Sequence, residues 1–199
     1  MMRRFATLVL ACATAGCSAP ATTPAATLTA TIATIAEVTG TVPPGAVVSL
    51  LPAGAQVPMP EGPAVMDQYA KQFVPATLYV RVGQPVEFRN TDNLGHNVNV
   101  HRRGTGATMF DVETDPQEKY VHIFDRVGPY DVACSEHPGM QATLVAADGP
   151  LATISDNRGR FELSGVPPGL YRLVVTFEGR TLEQAVTVTG PRTEVRLAP

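Results

Sequence analysis

The chain has 199 residues, with 15 Lys and Arg against 18 Asp and Glu and a formal net charge of −3. That length suits one large or two small domains. No basic stripe and no Lys/Arg patch interleaved with aromatics occurs, which argues against nucleic acid as a partner.

The first sixteen residues read as a secretory signal. Arg3 and Arg4 form its basic start and residues 5–13 its apolar middle, too short to span a bilayer. Thr14-Ala15-Gly16-Cys17 resembles the lipobox of bacterial lipoproteins, which implies processing before Cys17 and lipid attachment to it. Cysteine arithmetic agrees. Cys12 leaves with the signal, Cys17 carries lipid, and Cys134 remains as the single free thiol, which metal ligation would keep reduced. The competing use of these thiols is a Cys17–Cys134 disulfide. Residues 17–33 are an uncharged Ala/Thr/Pro tether. Without the signal, 13 basic residues face 18 acidic ones.

Eighteen Pro and 17 Gly punctuate short runs rich in Val, Leu, Thr and Tyr, the mark of an all-β chain. In chain order the strands are expected at 46–51, 77–82, 85–89, 97–101, 119–125, 130–134, 142–146, 160–163, 171–177, 182–188 and 193–197. Residues 65–72 are the one stretch that could make a turn or two of helix. Residues 102–116, with Asp111, Glu113 and Asp115, read as a solvated loop.

The chemistry concentrates in Cys134-Ser135-Glu136-His137-Pro138-Gly139-Met140 and in His96, thirty-eight residues upstream of Cys134. Strand alternation puts Tyr130, Val132 and Cys134 on one face, and His96 on the face of Val98 and Val100. Both strands therefore turn a polar metal ligand toward the apolar interior. One thiolate, two imidazoles and one thioether form the ligand set of a blue copper electron-transfer site. Thiolate and thioether favour Cu(I), while the imidazoles keep Cu(II) acceptable. Zinc would be better served by a harder ligand than Met140. A Cys–His nucleophile pair would give Met140 no role. His101 and His122 read as surface or internally satisfied histidines.

Phe73 to Pro75, Leu78 to Gly83, Val86 to Asn90, Gly95-His96-Asn97-Val98 and Cys134-x2-His137-Pro138-x-Met140 resemble a plastocyanin- or amicyanin-type cupredoxin. Val65-Met66-Asp67-Gln68 also resembles bacterial methylamine utilization proteins. The resemblance implies a Greek-key β-sandwich holding one type 1 copper, with His96, Cys134, His137 and Met140 (the last axial) as ligands. It makes Asn97 the brace of the Cys134 loop, and leaves Pro138 without an N–H to offer the thiolate. Residues 156–173 resemble the carboxypeptidase-regulatory, transthyretin-like β-sandwich. The opening strands of that family are missing just before them, yet stand near the N-terminus as Gly40-Thr41-Val42 and as residues 45–50. The expected organisation is a signal at 1–16, a tether at 17–33, a discontinuous smaller sandwich at 34–55 plus 148–199, and an inserted cupredoxin at 56–147.

The expectation is an exported, monomeric, lipid-anchored protein on the periplasmic side. It would pass single electrons between redox protein partners and catalyse no reaction, since four protein ligands leave no open position for a substrate. The alternatives are copper storage or delivery, or a scaffold in which copper is structural.

Overall fold

The computed structural model describes residues 35–197. The expected signal at 1–16, the expected tether at 17–33 and Cys17, the expected lipidation site, fall outside the described residues. Within the described residues the regular structure is strands alone. They are β1 (Ala36–Thr41), β2 (Val47–Pro52), β3 (Ala64–Tyr69), β4 (Gln72–Val74), β5 (Thr77–Arg81), β6 (Pro85–Asn90), β7 (His96–Arg102), β8 (Thr108–Thr114), β9 (Lys119–Ile123) and β10 (Gly128–Ala133). They continue with β11 (Gln141–Ala147), β12 (Leu151–Ile154), β13 (Arg160–Val166), β14 (Gly169–Phe177), β15 (Arg180–Val188) and β16 (Arg192–Arg196).

The central strands fold as two facing sheets, ordered β5-β11-β10-β7-β8 and β4-β3-β6-β9. Side-chain alternation explains why they face each other. In β6, Val86, Phe88 and Asn90 are buried while Glu87 and Arg89 lie outward, and in β10 Tyr130 and Val132 are buried. Met66, Phe88, Val98, Val100, Phe124, Tyr130 and Leu144 are all fully or almost fully buried between the sheets. Each such side chain contributes about 1.5–3 kcal/mol by leaving water.

The first and last strands form a second pair of sheets, β13-β1-β16 and β12-β2-β14-β15, around a core of Val38, Val48, Leu50, Phe161, Leu173, Val175 and Val195. β1 runs antiparallel to β13 and parallel to β16, and β2 lies between β12 and β14. Buried Ser155 ties the ends of the chain together. Its hydroxyl donates to the Pro43 carbonyl at 2.7 Å and accepts from the Ala46 amide at 3.0 Å. The two cores touch through β2 and β11, which are buried on both faces. Val48 and Leu50 enter one core and Leu144 and Ala146 the other, while Val47, Val145 and Ala147 fill the seam.

Two expectations are corrected. Residues 65–72 are strand β3 and a turn, with no helix. Met66 and Gln68 point inward at a period of two, and the chain reverses at Ala70 and Lys71, whose φ values are 51° and 57°. Such a turn favours Gly, Asn or Asp, so its Ala-Lys tip hides it from a composition-based reading. Within residues 102–116, expected as a loop, Thr108–Thr114 form strand β8, paired along β7. Phe110 and Val112 alternate there with outward Asp111 and Glu113, and the charges mask the alternation.

Gly40 of β1 sits where a Cβ would overlap the Val195 carbonyl oxygen and the Phe161 ring. Gly40→Ala should therefore cost about 1–3 kcal/mol through overpacking, read as a lower midpoint of denaturant unfolding. Residues 148–199 alone would expose the edges that β1 and β2 cover. That fragment should be unfolded or aggregate, and joining residues 34–55 to it through a short linker should restore cooperative unfolding. Cooperative unfolding of 148–199 by itself would contradict this.

Candidate metal centre

Cys134 leaves the end of β10 and Met140 precedes β11, so the seven residues from one to the other are a hairpin loop. The loop is closed by its own main chain. Cys134 N donates to Met140 O at 3.0 Å and Met140 N to His137 O at 3.1 Å. Gly139 takes a φ of 88°, a left-handed conformation that glycine adopts without steric cost. It brings Met140 back toward the interior. His96 begins β7, next to β10 in the same sheet. The loop leading to it is pinned by buried Asn90, whose Nδ2 donates to Leu94 O at 2.7 Å and to Thr114 O at 2.8 Å.

Strand β7 and the loop bring three donor atoms together. His96 Nδ1 and His137 Nδ1 are 3.0 Å apart, and Cys134 Sγ lies 3.8 Å from the first and 3.6 Å from the second. A circle through the three atoms has a radius of about 2.0 Å, the usual metal–nitrogen bond length and slightly under the roughly 2.3 Å of a metal–thiolate bond. The triangle thus fits a single metal bound by all three donors, with a small outward shift of Sγ. Among the described residues these three form the one His/Cys/Asp/Glu cluster suited to holding a metal ion. Among the described residues Cys134 has no disulfide partner. His96, Cys134 and Met140 are buried, and the Met140 side chain packs in the same apolar cluster as Cys134. His137 is half-buried and Pro138 beside it is exposed, so the centre meets solvent along the His137 edge.

His101 and His122 lie elsewhere. His101 Nδ1 sits 3.3 Å from Thr108 Oγ1. The His122 ring packs against Phe110 and Phe124, with centroids 4.5 Å and 4.9 Å away, and burial pushes its pKa down.

Surrounding groups orient the donors. Asn97 Oδ1 accepts the Ser135 amide at 2.6 Å, which fixes the chain just after Cys134. The Asp92 carboxylate accepts from His96 Nε2 at 3.2 Å and from the Lys71 amide at 2.9 Å. The Lys71 amide first, and the His96 imidazole second, hold the Asp92 carboxyl below the usual carboxylate range. With Nε2 committed to Asp92, His96 offers Nδ1 to the metal position. Sequence reasoning missed Asp92. Its spacing, four residues before His96 across a short loop, is the signal that could have found it.

Residues 62–147 match the family described as copper binding proteins, plastocyanin/azurin family. No curated protein matches the chain. Among solved structures, a reduced amicyanin variant is 25% identical with a TM-score of 0.40, over 50% of this chain and 92% of its own. A reduced Cu(I) amicyanin variant at pH 4 is also 25% identical with a TM-score of 0.40, over 52% of this chain and 99% of its own. A purple cupredoxin from Nitrosopumilus maritimus is 23% identical with a TM-score of 0.38, over 42% and 99%. The matched family and the His-Cys-His triangle with Met140 beside it assign one type 1 copper to this chain.

Thiolate-to-copper charge transfer should make the Cu(II) protein intensely blue. Cys134→Ser should abolish that colour even where copper still binds. Asp92→Ala should lower Cu(II) affinity by about 10–100-fold, since it removes the group that orients a ligating imidazole; a competition titration measures this.

Proposed function

We propose that this protein carries single electrons between redox protein partners. The observation that supports this reading best is the preset triangle of His96, Cys134 and His137 inside a sheet-bound frame. Copper, when bound, supplies a one-electron couple. The chain's part is to hold two imidazoles and a thiolate at distances acceptable to both oxidation states, so that little has to move when an electron arrives. With Met140 as the fourth ligand, no position remains open for a substrate, and the protein is read as a carrier with no catalytic reaction of its own. The half-buried His137 edge is the natural point of exchange.

Copper delivery is the weaker reading. A delivery site releases its metal quickly, whereas His96 and Cys134 are 3% and 6% exposed. We place the protein on the periplasmic side, anchored through lipid on Cys17, on the strength of the basic-apolar start and the Thr14-Ala15-Gly16-Cys17 motif. The sandwich of β1, β2 and β12–β16 is read as a carboxypeptidase-regulatory-like mount, with the copper-binding segment inserted between β2 and β12.

Voltammetry of the copper-loaded protein tests the carrier reading, which expects a reversible one-electron wave with no loss of metal. Copper lost on each reduction would favour delivery. If Met140 is the weak axial donor, Met140→Leu should keep the blue colour and raise the potential, because Cu(II) loses more than Cu(I) from its removal, and Met140→Gln should lower it. A potential unmoved by both would take Met140 away from the metal. Cys17→Ala should leave the precursor unprocessed by the lipoprotein route and change its membrane fractionation, whereas normal maturation to a soluble product would argue for an ordinary secreted protein.

A further inference from the structure

Asp111 lies on β8 directly across from Asn99, on the outer face of the five-stranded sheet. Its two carboxylate oxygens are shared between two amides of β7. Asn97 Nδ2 donates to Oδ1 at 2.6 Å, and Asn99 Nδ2 donates to Oδ2 at 3.2 Å. The opposite end of the Asn97 side chain, Oδ1, is the acceptor for the Ser135 amide at 2.6 Å. Asn97 therefore bridges β8 to the residue that follows Cys134.

We infer that Asp111 is a positioning residue of the metal centre, holding the Asn97 amide in the one orientation that can grip the Cys134 loop. A side-chain amide has one donor end and one acceptor end, while an ionised carboxylate only accepts and a backbone N–H only donates. Asn97 can satisfy both neighbours in a single orientation. Turning it over would set its oxygen against the carboxylate and its NH2 against the Ser135 N–H. Asp111 makes that reversed state repulsive, so the bond to Ser135 is enforced from the far side of the strand. The Ser135 hydroxyl fits the same arrangement, accepting from Asn97 Nδ2 at 3.1 Å and from Asn99 Nδ2 at 3.4 Å. Asn99 carries an independent trace of the pull. Its NH2 is turned toward the carboxylate although this leaves its own Oδ1 buried without a hydrogen-bond partner.

The role in tuning copper rests on the type 1 assignment, but the Asp111–Asn97–Ser135 chain of bonds needs no metal. The test therefore has a metal-free arm. In the apo protein, Asp111→Ala should speed hydrogen exchange of the Ser135 amide at least tenfold, as Asn97→Ala should. Asp111→Asn, which keeps an acceptor oxygen, should stay within about twofold of wild type. In the copper-loaded protein, both Asp111 variants lose the same negative charge. A pure charge effect would shift their potentials equally. Positioning predicts that Asp111→Ala shifts further, in the direction of Asn97→Ala, with a matching change in the charge-transfer band. Wild-type exchange at Ser135 in Asp111→Ala, or equal potentials for the two Asp111 variants, would overturn the inference. A colourless wild type with the exchange pattern intact would instead unseat the copper assignment and leave the bonding role of Asp111 standing.

Discussion

Two imidazole nitrogens held 3.0 Å apart, with a thiol sulfur within 4 Å of both, constrain everything around them. Three groups with lone pairs aimed at one point do not gather there for their own sake, because only a bound proton or metal relieves their mutual repulsion. The frame must hold them. β7 delivers His96, and Cys134 follows the end of β10, the adjacent strand, so the ladder that pairs Ala133 with Asn99 sets the direction from which both approach. His137 comes from the loop, which is closed on itself by two main-chain bonds. The outer braces point the same way. Asn90 pins the approach to His96, Asp92 fixes the rotation of its ring, and Asn97 fixes the exit from Cys134.

Below that site, both sandwiches use the same devices. Each has a buried tyrosine whose hydroxyl donates to the carbonyl four residues back: Tyr130 to Arg126 O at 2.8 Å, and Tyr171 to Pro167 O at 2.8 Å. A buried phenol needs a partner, and a corner of the incoming chain supplies it, so the turn and the core are set by one contact. Burial pushes the pKa of both hydroxyls up, which keeps them protonated donors. The seam between the sandwiches has an apolar cluster of Val47, Val145 and Ala147 at its centre.

Legibility in the sequence followed how local each signal was. The donor residues stood out because Cys134, His137 and Met140 share one loop and His96 sits on an alternating strand. Most strand positions were readable from period-two patterns bounded by Gly and Pro. β3, β4, β8 and β12 were not. β3 ends in an Ala-Lys turn where the backbone, not the composition, carries the reversal. β4 and β12, three and four residues long, are too short to show a period. β8 hides its inward Phe110 and Val112 among acidic neighbours. Asp111 was unreadable as a site residue for a related reason, and Asp92 offered only its spacing from His96. An aspartate in a loop or on an outer face looks solvated until the fold reveals which amide or imidazole it faces.

The seam has a consequence for how the metal is presented. β11 runs from the metal loop at Gln141 to the seam at Ala147, seven residues or about 20 Å of extended chain. The polypeptide crosses between the sandwiches twice, once after β2 and once before β12. A joint with two covalent crossings and a buried seam resists swivelling, unlike a domain on a single linker. The copper loop is therefore carried at the far end of a stiff arm, and whatever immobilises the sandwich also sets the compass bearing of the metal.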